Sequence, residues 1–427
     1  GFHRYSTDRQ WHVPHFEKML YDQAQLIHIY SQAAVEFDEP LFATVAAEAA
    51  DYVQQDLRLP EGGFCAARDA ETNAIEGLYY VWSEQELQAV LGEADGSLFR
   101  AAYGITGESP FEHGHVLRLP QSLQSLAEQQ DIPIAELTGK LTGLRRQLLA
   151  VRDSRPAPMR DDKVLTDWNG MLISALVQES KFPGREADLQ VAQSVAEFLW
   201  TECRTADNGL HHSWCQGKVS GEAYLDDYAW LIQALLDLHD ATENDAWRNR
   251  AVELADQQIR EFHDQELGRF FFTATHGEQL ISRVSTGYDS VYPSGNSVTV
   301  RNLLRLTRLS GNPRYQQLAE STLKQFASTL QSAPAGCAGM ALALDDLLAG
   351  TTEASPLESQ SSANETRRSA CTDSTILCAL TSFADDRADA SDDEQAGNSS
   401  QESASQESAS QESASQESAV TQTTFHP

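Results

Sequence analysis

Cysteine is scarce in this sequence, and no two cysteines are spaced as a C-x-x-C pair. This pattern argues against a zinc ribbon and against a dithiol redox motif. Basic residues are also few, since 31 Lys and Arg stand against 63 Asp and Glu and leave a net charge of −32. Because phosphate binding needs a basic surface, we expect neither nucleic acid nor anionic membrane as a partner.

The sequence also lacks a membrane-length apolar run and a signal peptide. Together with the scattered cysteines, this favours a cytoplasmic location. The first residue is Gly rather than Met, and a helix pair follows almost at once. We therefore expect the chain to be a fragment whose true N-terminus is missing. With 41% hydrophobic residues, it can still bury a large core.

Apolar residues at three- and four-residue spacing predict successive pairs of amphipathic helices. The predicted pairs are 14–37 with 41–58, 166–181 with 186–203, 226–242 with 246–263, and 296–310 with 313–331, followed by a helix at 337–349. A Gly-aromatic turn recurs ahead of them, at Phe2, Phe64, Leu210 and Phe270, with steps of about sixty residues or twice that. The fold predicted is all-α, an (α/α) barrel of helix hairpins that is incomplete at its N-terminus.

Composition divides the chain into a barrel domain, 1–350, and a tail, 351–427. Residues 83–158 break the period and are predicted to be a helical insertion within the barrel. Tyr79–Trp82 is predicted to be a strand, after which Ser83 and Glu86 form a capping box. The tail is acidic and of low complexity, with Ser-Gln-Glu-Ser-Ala four times in tandem over 400–419, and is expected to be disordered.

Four polar clusters precede or open the first helix of a pair. Their candidate site residues are His12, His15, Glu17, Lys18, Tyr21 and Asp22; Asp161, Asp162, Lys163, Trp168 and Asn169; Asp227 and Tyr228; and Ser294 and Asn296. Because first helices line the lumen of such a barrel, their starts should share one mouth. Carboxylates, imidazoles, amides and aromatic rings are typical of a site for a carbohydrate or polyol. Alternatively, Asp226 or Asp227 is only a helix cap, as is the turn at 293–296.

Three functions remain open at this stage. The leading hypothesis is sugar isomerisation or epimerisation, with His12 or His15 as the base and Glu17 or Asp227 orienting or donating. The second is glycoside hydrolysis by two carboxylates. These would be drawn from Asp161, Asp162, Asp226 and Asp227. The third is a non-catalytic binding or regulatory module.

No metal or other cofactor is predicted. His12 and His15 have a metal-like spacing, but Pro14 interrupts helical geometry between them and no third soft ligand is near in sequence. His211 and His212 are predicted to be exposed histidines of a turn. Oligomeric state is not predicted.

The same residues carry a family resemblance. Gly1–Ser6 with Trp11–Gln23 resembles the signature of the spermatogenesis-associated protein 20 family, and further blocks match at 161–166 with 168–170, at 227–229 and at 293–297. The resemblance covers about residues 1–350. It implies a thioredoxin-like domain followed by an α/α barrel similar to six-hairpin glycosidases and N-acylglucosamine 2-epimerases. The thioredoxin-like domain is not part of this sequence, so no redox role is carried over.

Overall fold

The computed structural model describes residues 1–107, 109, 111–277 and 281–352, and these residues are mostly helical. Beyond residue 352, the tail that was predicted to be disordered lies outside the described residues. No described helix combines the length and the apolar character that a membrane crossing requires.

Twelve α-helices lie within the described ranges. They are α1 (Leu20–Phe37), α2 (Pro40–Tyr52), α3 (Glu84–Tyr103), α4 (Leu123–Gln130), α5 (Ile134–Arg152), α6 (Thr166–Glu179), α7 (Glu186–Glu202), α8 (Leu225–Thr242), α9 (Asp245–Phe262), α10 (Gly295–Ser310), α11 (Pro313–Ser332) and α12 (Ala338–Thr352). A π-helical turn, Val53–Leu57, extends α2, and a 3₁₀ turn, Pro334–Gly336, precedes α12.

Short antiparallel strands connect these helices. They are β1 (Tyr5–Ser6), β2 (Pro14–His15), β3 (Lys18–Met19), β4 (Ala67–Arg68), β5 (Glu71–Thr72), β6 (Ile75–Glu76), β7 (Arg160–Asp161), β8 (Val164–Leu165), β9 (His211–Cys215), β10 (Lys218–Glu222), β11 (His263–Asp264) and β12 (Arg269–Phe270). Three of the sheets are two-stranded (β1-β2, β5-β6 and β11-β12), and two are three-stranded (β3-β4-β7 and β10-β9-β8).

The helices are arranged as successive hairpins around a series of inner helices. α1 packs against α6, α6 against α8, α8 against α10, and α10 against α12. Each of the first four also packs against the helix that follows it as an outer partner, namely α2, α7, α9 or α11. The inner helices are therefore neighbours although 60 or more residues can separate them in sequence. The predicted architecture of α/α hairpins is confirmed.

Local sequence signals account for most helix ends. Ser294 caps α10 by accepting a hydrogen bond from the Ser297 N–H, and Gly311 ends the helix with φ of 67°. The capping box predicted at Ser83 and Glu86 is present at the start of α3. Pro313 opens α11, where its missing N–H leaves no hydrogen bond unmade.

The first helix begins later than predicted. Residues from Pro14 were expected to be helical, but Pro14 and His15 form β2 and pair with β1, and α1 begins only at Leu20. The Asp8 carboxylate holds the intervening turn by accepting hydrogen bonds from the N–H groups of residues 10, 12 and 13. Backbone hydrogen bonds to residues 4–7 therefore hold residues 13–17 in an extended conformation in place of the predicted helix. As a result, His12, His15 and Glu17 precede α1.

The strand predicted at Tyr79–Trp82 is wrong. The N–H groups of Tyr80 and Val81 both donate to the Gly77 carbonyl, which closes a turn, and only Trp82 makes a bridge, to His115. Gly77 has φ of 73° and lies against the Phe16 ring, so a side chain is excluded there. The aromatic residues that suggested a strand are instead packed around this turn.

Residues 83–158 form α3, α4 and α5, which have a core of their own. Phe99, Leu126, Leu137 and Leu144 are buried in it together with Trp82. A unit inserted into a barrel would need a hydrophobic core of its own, and residues 83–158 have one. That these residues are an insertion remains a prediction.

Three inner helices share a contact that we call the amide joint. In each, a buried Gln or Asn near the start of the inner helix accepts a hydrogen bond from the N–H of an upstream phenylalanine and donates one to its carbonyl. The joints are Gln23 with Phe2 (2.7 and 2.7 Å), Asn169 with Phe64 (2.9 and 3.0 Å), and Asn296 with Phe270 (3.2 and 3.1 Å). These phenylalanines belong to the recurring Gly-aromatic turns. At Leu210, the remaining turn, the N–H donates to the Tyr228 hydroxyl instead.

Candidate functional site

The amino-terminal ends of the inner helices meet, and their polar side chains are in contact. The Tyr21 ring, from α1, lies 4.7 Å from the Trp168 ring of α6 and 5.8 Å from the Tyr292 ring, which precedes α10. The Tyr292 hydroxyl donates to Asp167 Oδ2 at 3.1 Å. The Asp167 N–H donates to Asp227 Oδ1, on α8, at 3.1 Å. We call these five residues and the side chains that contact them the mouth.

A histidine on β9 is held in the mouth by a buried carboxylate. His212 Nδ1 lies 3.1 and 3.0 Å from the two oxygens of Asp227, which is 0% exposed and also accepts from the Tyr224 N–H at 2.8 Å. A carboxylate that accepts from Nδ1 fixes the tautomer whose Nε2 carries a lone pair. The His212 side chain is 29% exposed, so part of the ring is open to solvent.

The buried charges of the mouth shift the ionisation of its members. Burial lowers the pKa of His212, but the hydrogen bond and charge of Asp227 outweigh it, so this pKa lies above its ordinary value. Burial and then the charge of Asp227 raise the pKa of Asp167 well above normal. Burial likewise raises the pKa of Asp227, although His212 opposes the effect. The buried carboxylates of the mouth therefore keep their protons to a higher pH than isolated carboxylates do.

Asp226 supplies a second acidic group at the start of α8. Burial, then the charge of Asp227, raise the pKa of Asp226 to about 7. A carboxyl with this pKa is partly protonated at neutral pH and can act as a general acid. The Asp226 carboxylate also accepts a hydrogen bond from the Gly295 N–H at the start of α10.

A second group of predicted residues adjoins the mouth through Arg4. Its guanidinium lies 3.2 Å from Glu17 and 3.1 Å from the Tyr21 hydroxyl. His15 Nε2 is 3.2 Å from Glu17, and its Nδ1 is 2.9 Å from Glu76. The structure thus joins Glu17 and Tyr21 to the mouth. Both ring nitrogens of His15 already face carboxylates, so neither is available as a base.

A cavity of about 700 Å³ lies beside α1, and three further predicted residues line it: His12, Lys18 and Asp22. Burial raises the pKa of Asp22 to about 6, and its Oδ2 has no hydrogen-bond partner among the described residues. Asp227 and His212 are not part of this lining. The first predicted cluster is therefore divided between the mouth and this cavity.

Four residues that were predicted to bind a ligand instead make hydrogen bonds with backbone groups. Asn169 and Asn296 form amide joints, Ser294 caps α10, and the buried Tyr228 hydroxyl accepts from the Leu210 N–H. These contacts favour a structural role over the predicted substrate contact. These hydrogen bonds fix the positions of the amino-terminal ends of the inner helices, where the residues of the mouth lie.

The cluster at the β7–β8 turn makes only local ion pairs. Asp162 lies 2.6 Å from Arg160, and Lys163 lies 3.2 Å from Asp161. Within the described residues, no hydrogen bond or ion pair joins them to the mouth. Asp162 is therefore poorly placed for its predicted catalytic role.

The sequence analysis missed His212, Asp167, Tyr292 and Arg4. His212 was assigned to an exposed turn, which is wrong, because it lies in β9 and is hydrogen-bonded to Asp227. One signal was available for Asp167, since it stands within the Asp-Trp-Asn-Gly motif whose neighbours were singled out.

Asp167, His212 and Asp227 also lie close enough to hold a cation, with ligand atoms within 4.8 Å of one another. The carboxylate oxygens of both aspartates already accept hydrogen bonds, from Trp168, Tyr292, Tyr224 and the Asp167 N–H. A cation would have to displace the bond between His212 and Asp227. The observed contacts of Asp167, His212 and Asp227 are therefore hydrogen bonds among themselves and with neighbouring donors.

Fold and site together define a class: proteins of α/α hairpins with an acidic, aromatic site at the inner-helix starts. No family model matches the chain. Over most of its length, the chain is a homologue of spermatogenesis-associated protein 20, which confirms the resemblance. It is 33% identical to the Homo sapiens protein over 379 residues, 81% of this chain and 48% of that protein. It is also 33% identical to the Mus musculus protein over 370 residues, 78% and 47% respectively.

The chain spans about half the length of the curated relatives it matches. Solved structures that resemble it include a sugar epimerase from a ruminal bacterium, with a TM-score of 0.48, 11% identity, and coverage of 78% of this chain and 65% of that one. Cellobiose 2-epimerase from Spirochaeta thermophila gives a TM-score of 0.48, 11% identity, and coverage of 77% and 64%.

Proposed function

We propose that the mouth binds a sugar or related polyol and isomerises or epimerises it by proton transfer. The observation that carries this proposal is the pair formed by His212 and the buried Asp227. Asp227 fixes the His212 ring and stabilises its cationic form, as a base requires when it accepts a proton. His212 replaces His12 and His15 as the proposed base, since the His15 nitrogens are engaged and His12 lies in the other cavity.

The step proceeds on the open-chain sugar. His212 Nε2 removes the proton from the carbon next to the carbonyl, and the electron pair moves through the C–C bond onto the carbonyl oxygen. Asp226, in its neutral form, protonates that oxygen to give an enediol. In the second half of the reaction His212 returns its proton to carbon while an enediol hydroxyl gives its proton back to Asp226, so that a carbonyl forms again. Protonation of the neighbouring carbon, with loss of the proton from the other hydroxyl, isomerises the sugar. Protonation of the original carbon after the enediol has turned its other face to His212 gives the epimer. The rings of Trp168 and Tyr292 provide faces on which a sugar can stack.

The proposal is tested by incubating the chain with a panel of aldoses, ketoses and glycosides in D₂O. We expect deuterium at the carbon beside the carbonyl, detected by proton NMR and mass spectrometry, because the abstracted proton exchanges with solvent. Cleavage of glycosides without carbon–deuterium exchange would overturn the proposal in favour of hydrolysis. Saturable sugar binding with neither reaction would overturn it in favour of a binding module.

We expect a narrow, bell-shaped dependence of kcat/KM on pH. Activity should rise with pH as His212 loses its proton, and the raised pKa of His212 places this limb above its ordinary position. Activity should fall as Asp226 ionises, at a pKa of about 7. The profile reports the free enzyme's acid and base. Asp226→Asn should remove the descending limb, and an unchanged limb in that variant would contradict the role of Asp226.

A further inference from the structure

The 700 Å³ cavity beside α1 differs in charge from the rest of this acidic chain. Four basic side chains line it, Arg4, Lys18, Arg118 and Arg152, against a single carboxylate, Asp22, within its described lining. Aromatic rings, among them Tyr80, form much of the remaining wall. Such a lining suits a small molecule that carries an anionic group.

Lys18 is an unusual member of this lining because its charge has little compensation. The side chain is 5% exposed, and Nζ donates to the Gly1 carbonyl at 3.0 Å. Nζ also lies 4.4 Å from the centre of the Tyr52 ring and 5.0 Å from that of Tyr80. Among the described residues, no carboxylate oxygen lies within 4.0 Å of it. Asp56, the acid that faces it, is paired with Arg68 at 2.7 Å.

This setting favours the neutral amine. Burial, and then the nearby Arg152, lower the pKa of Lys18 to about 7. About half of the Lys18 amine is therefore neutral at pH 7, whereas an ordinary lysine with a pKa of about 10.4 is neutral in only about 1 molecule in 2,500. A desolvated lysine beside another cation is the arrangement that activates an amine for attack on carbonyl carbon.

We propose that Lys18 is a carbonyl-reactive amine that forms an imine with a small aldehyde or ketone carrying a phosphate or carboxylate. The nitrogen lone pair attacks the carbonyl carbon, and the π electrons move to oxygen, which takes up a proton. The resulting carbinolamine loses water as the C=N bond forms, and the departing hydroxyl takes up a proton from solvent. Addition of water reverses the step. The inference concerns a different cavity and does not depend on the function proposed for the mouth.

The test is reductive trapping in the unmodified chain, with glyceraldehyde 3-phosphate and sodium cyanoborohydride at pH 7, followed by peptide mapping. Lys163 is the internal control, since its side chain is 55% exposed and paired with Asp161. We expect Lys18 to be labelled at least about tenfold faster than Lys163. We also expect the preference to be smaller with neutral glyceraldehyde, because the part that comes from the anionic group is lost while the part that comes from the neutral amine remains. Lys18→Arg should lack the adduct, and Lys163→Arg should retain it.

The dependence on pH gives a readout that does not require the variants to fold. Labelling of Lys18 should rise up to about pH 7 and level off above it, because most of the Lys18 amine is then neutral. The other charged or titratable groups around the amine are Arg152, Arg68, Asp56, His3, the Gly1 amino group, Tyr52 and Tyr80. Labelling of Lys18 no faster than Lys163, or equal selectivity with the neutral aldehyde, would overturn the proposal.

Discussion

Replacing His212 with Gln should lower the rate of deuterium exchange into the sugar by about 10²–10⁴-fold, while the chain remains folded. Gln can still donate to Asp227 but cannot accept a proton from carbon. Because His212 is partly exposed and at the edge of the core, the variant should unfold at nearly the same urea concentration. Exchange rates at saturating sugar separate this loss of chemistry from weaker binding.

His211→Gln is the matched control for that experiment. His211 is the preceding residue of β9, so its side chain points to the opposite face of the strand. It makes no side-chain hydrogen bond within the described residues. Exchange should persist in this control. Equal losses in both variants, or full exchange in His212→Gln, would exclude His212 as the base.

The second large effect is on stability. Asn169→Ala should lower the free energy of unfolding by about 2–4 kcal/mol, because three buried hydrogen bonds are lost and the Phe64 N–H and carbonyl are left unpaired. The amide nitrogen of Asn169 also donates to the Leu165 carbonyl at 2.9 Å. Urea unfolding, with comparison of midpoints and slopes, measures the change.

The control for this prediction is Asn249→Ala, in the exposed part of α9. Away from buried contacts, this change should stay within about 0.5 kcal/mol. Asn169→Asp should be at least as destabilising as Asn169→Ala, because a buried carboxylate accepts from the Phe64 N–H but places its other oxygen against the Phe64 and Leu165 carbonyls. If Asn169→Ala were as mild as the control and weakened only sugar binding, Asn169 would be a ligand contact, as the sequence first suggested.

The periodicity of apolar residues was sufficient to predict the helix hairpins. It was also sufficient to predict that the inner helices begin at the same end of the fold. The pattern of apolar residues reports which face of a helix is buried, and that determines which helix starts lie together. Tyr21, Trp168 and Asp227 follow from this reasoning.

The partners of polar side chains could not be found in the same way. His212 lies on a short strand and meets Asp227 only after β9 folds back towards α8, so no local spacing indicates the pair. The polar residues at the helix starts look alike in sequence, yet Asn169 is hydrogen-bonded to the Phe64 backbone and Asp227 is hydrogen-bonded to the His212 ring. Pro14 was assigned to a helix because the competing hydrogen bonds come from residues 4–7. Each of these outcomes depends on contacts between segments rather than on the segment itself.

The amide joints carry a consequence for how such a chain can gain length. They close spans of 21, 26 and 105 residues with the same two hydrogen bonds. Closing a span costs about 0.6 kcal/mol more for each doubling of its length, so closing the longest span costs only about 1.4 kcal/mol more than closing the shortest. Residues 83–158, with their own core, lie inside that longest span. A segment as long as residues 83–158 can therefore lie between an aromatic turn and its inner helix while both hydrogen bonds of the joint are kept.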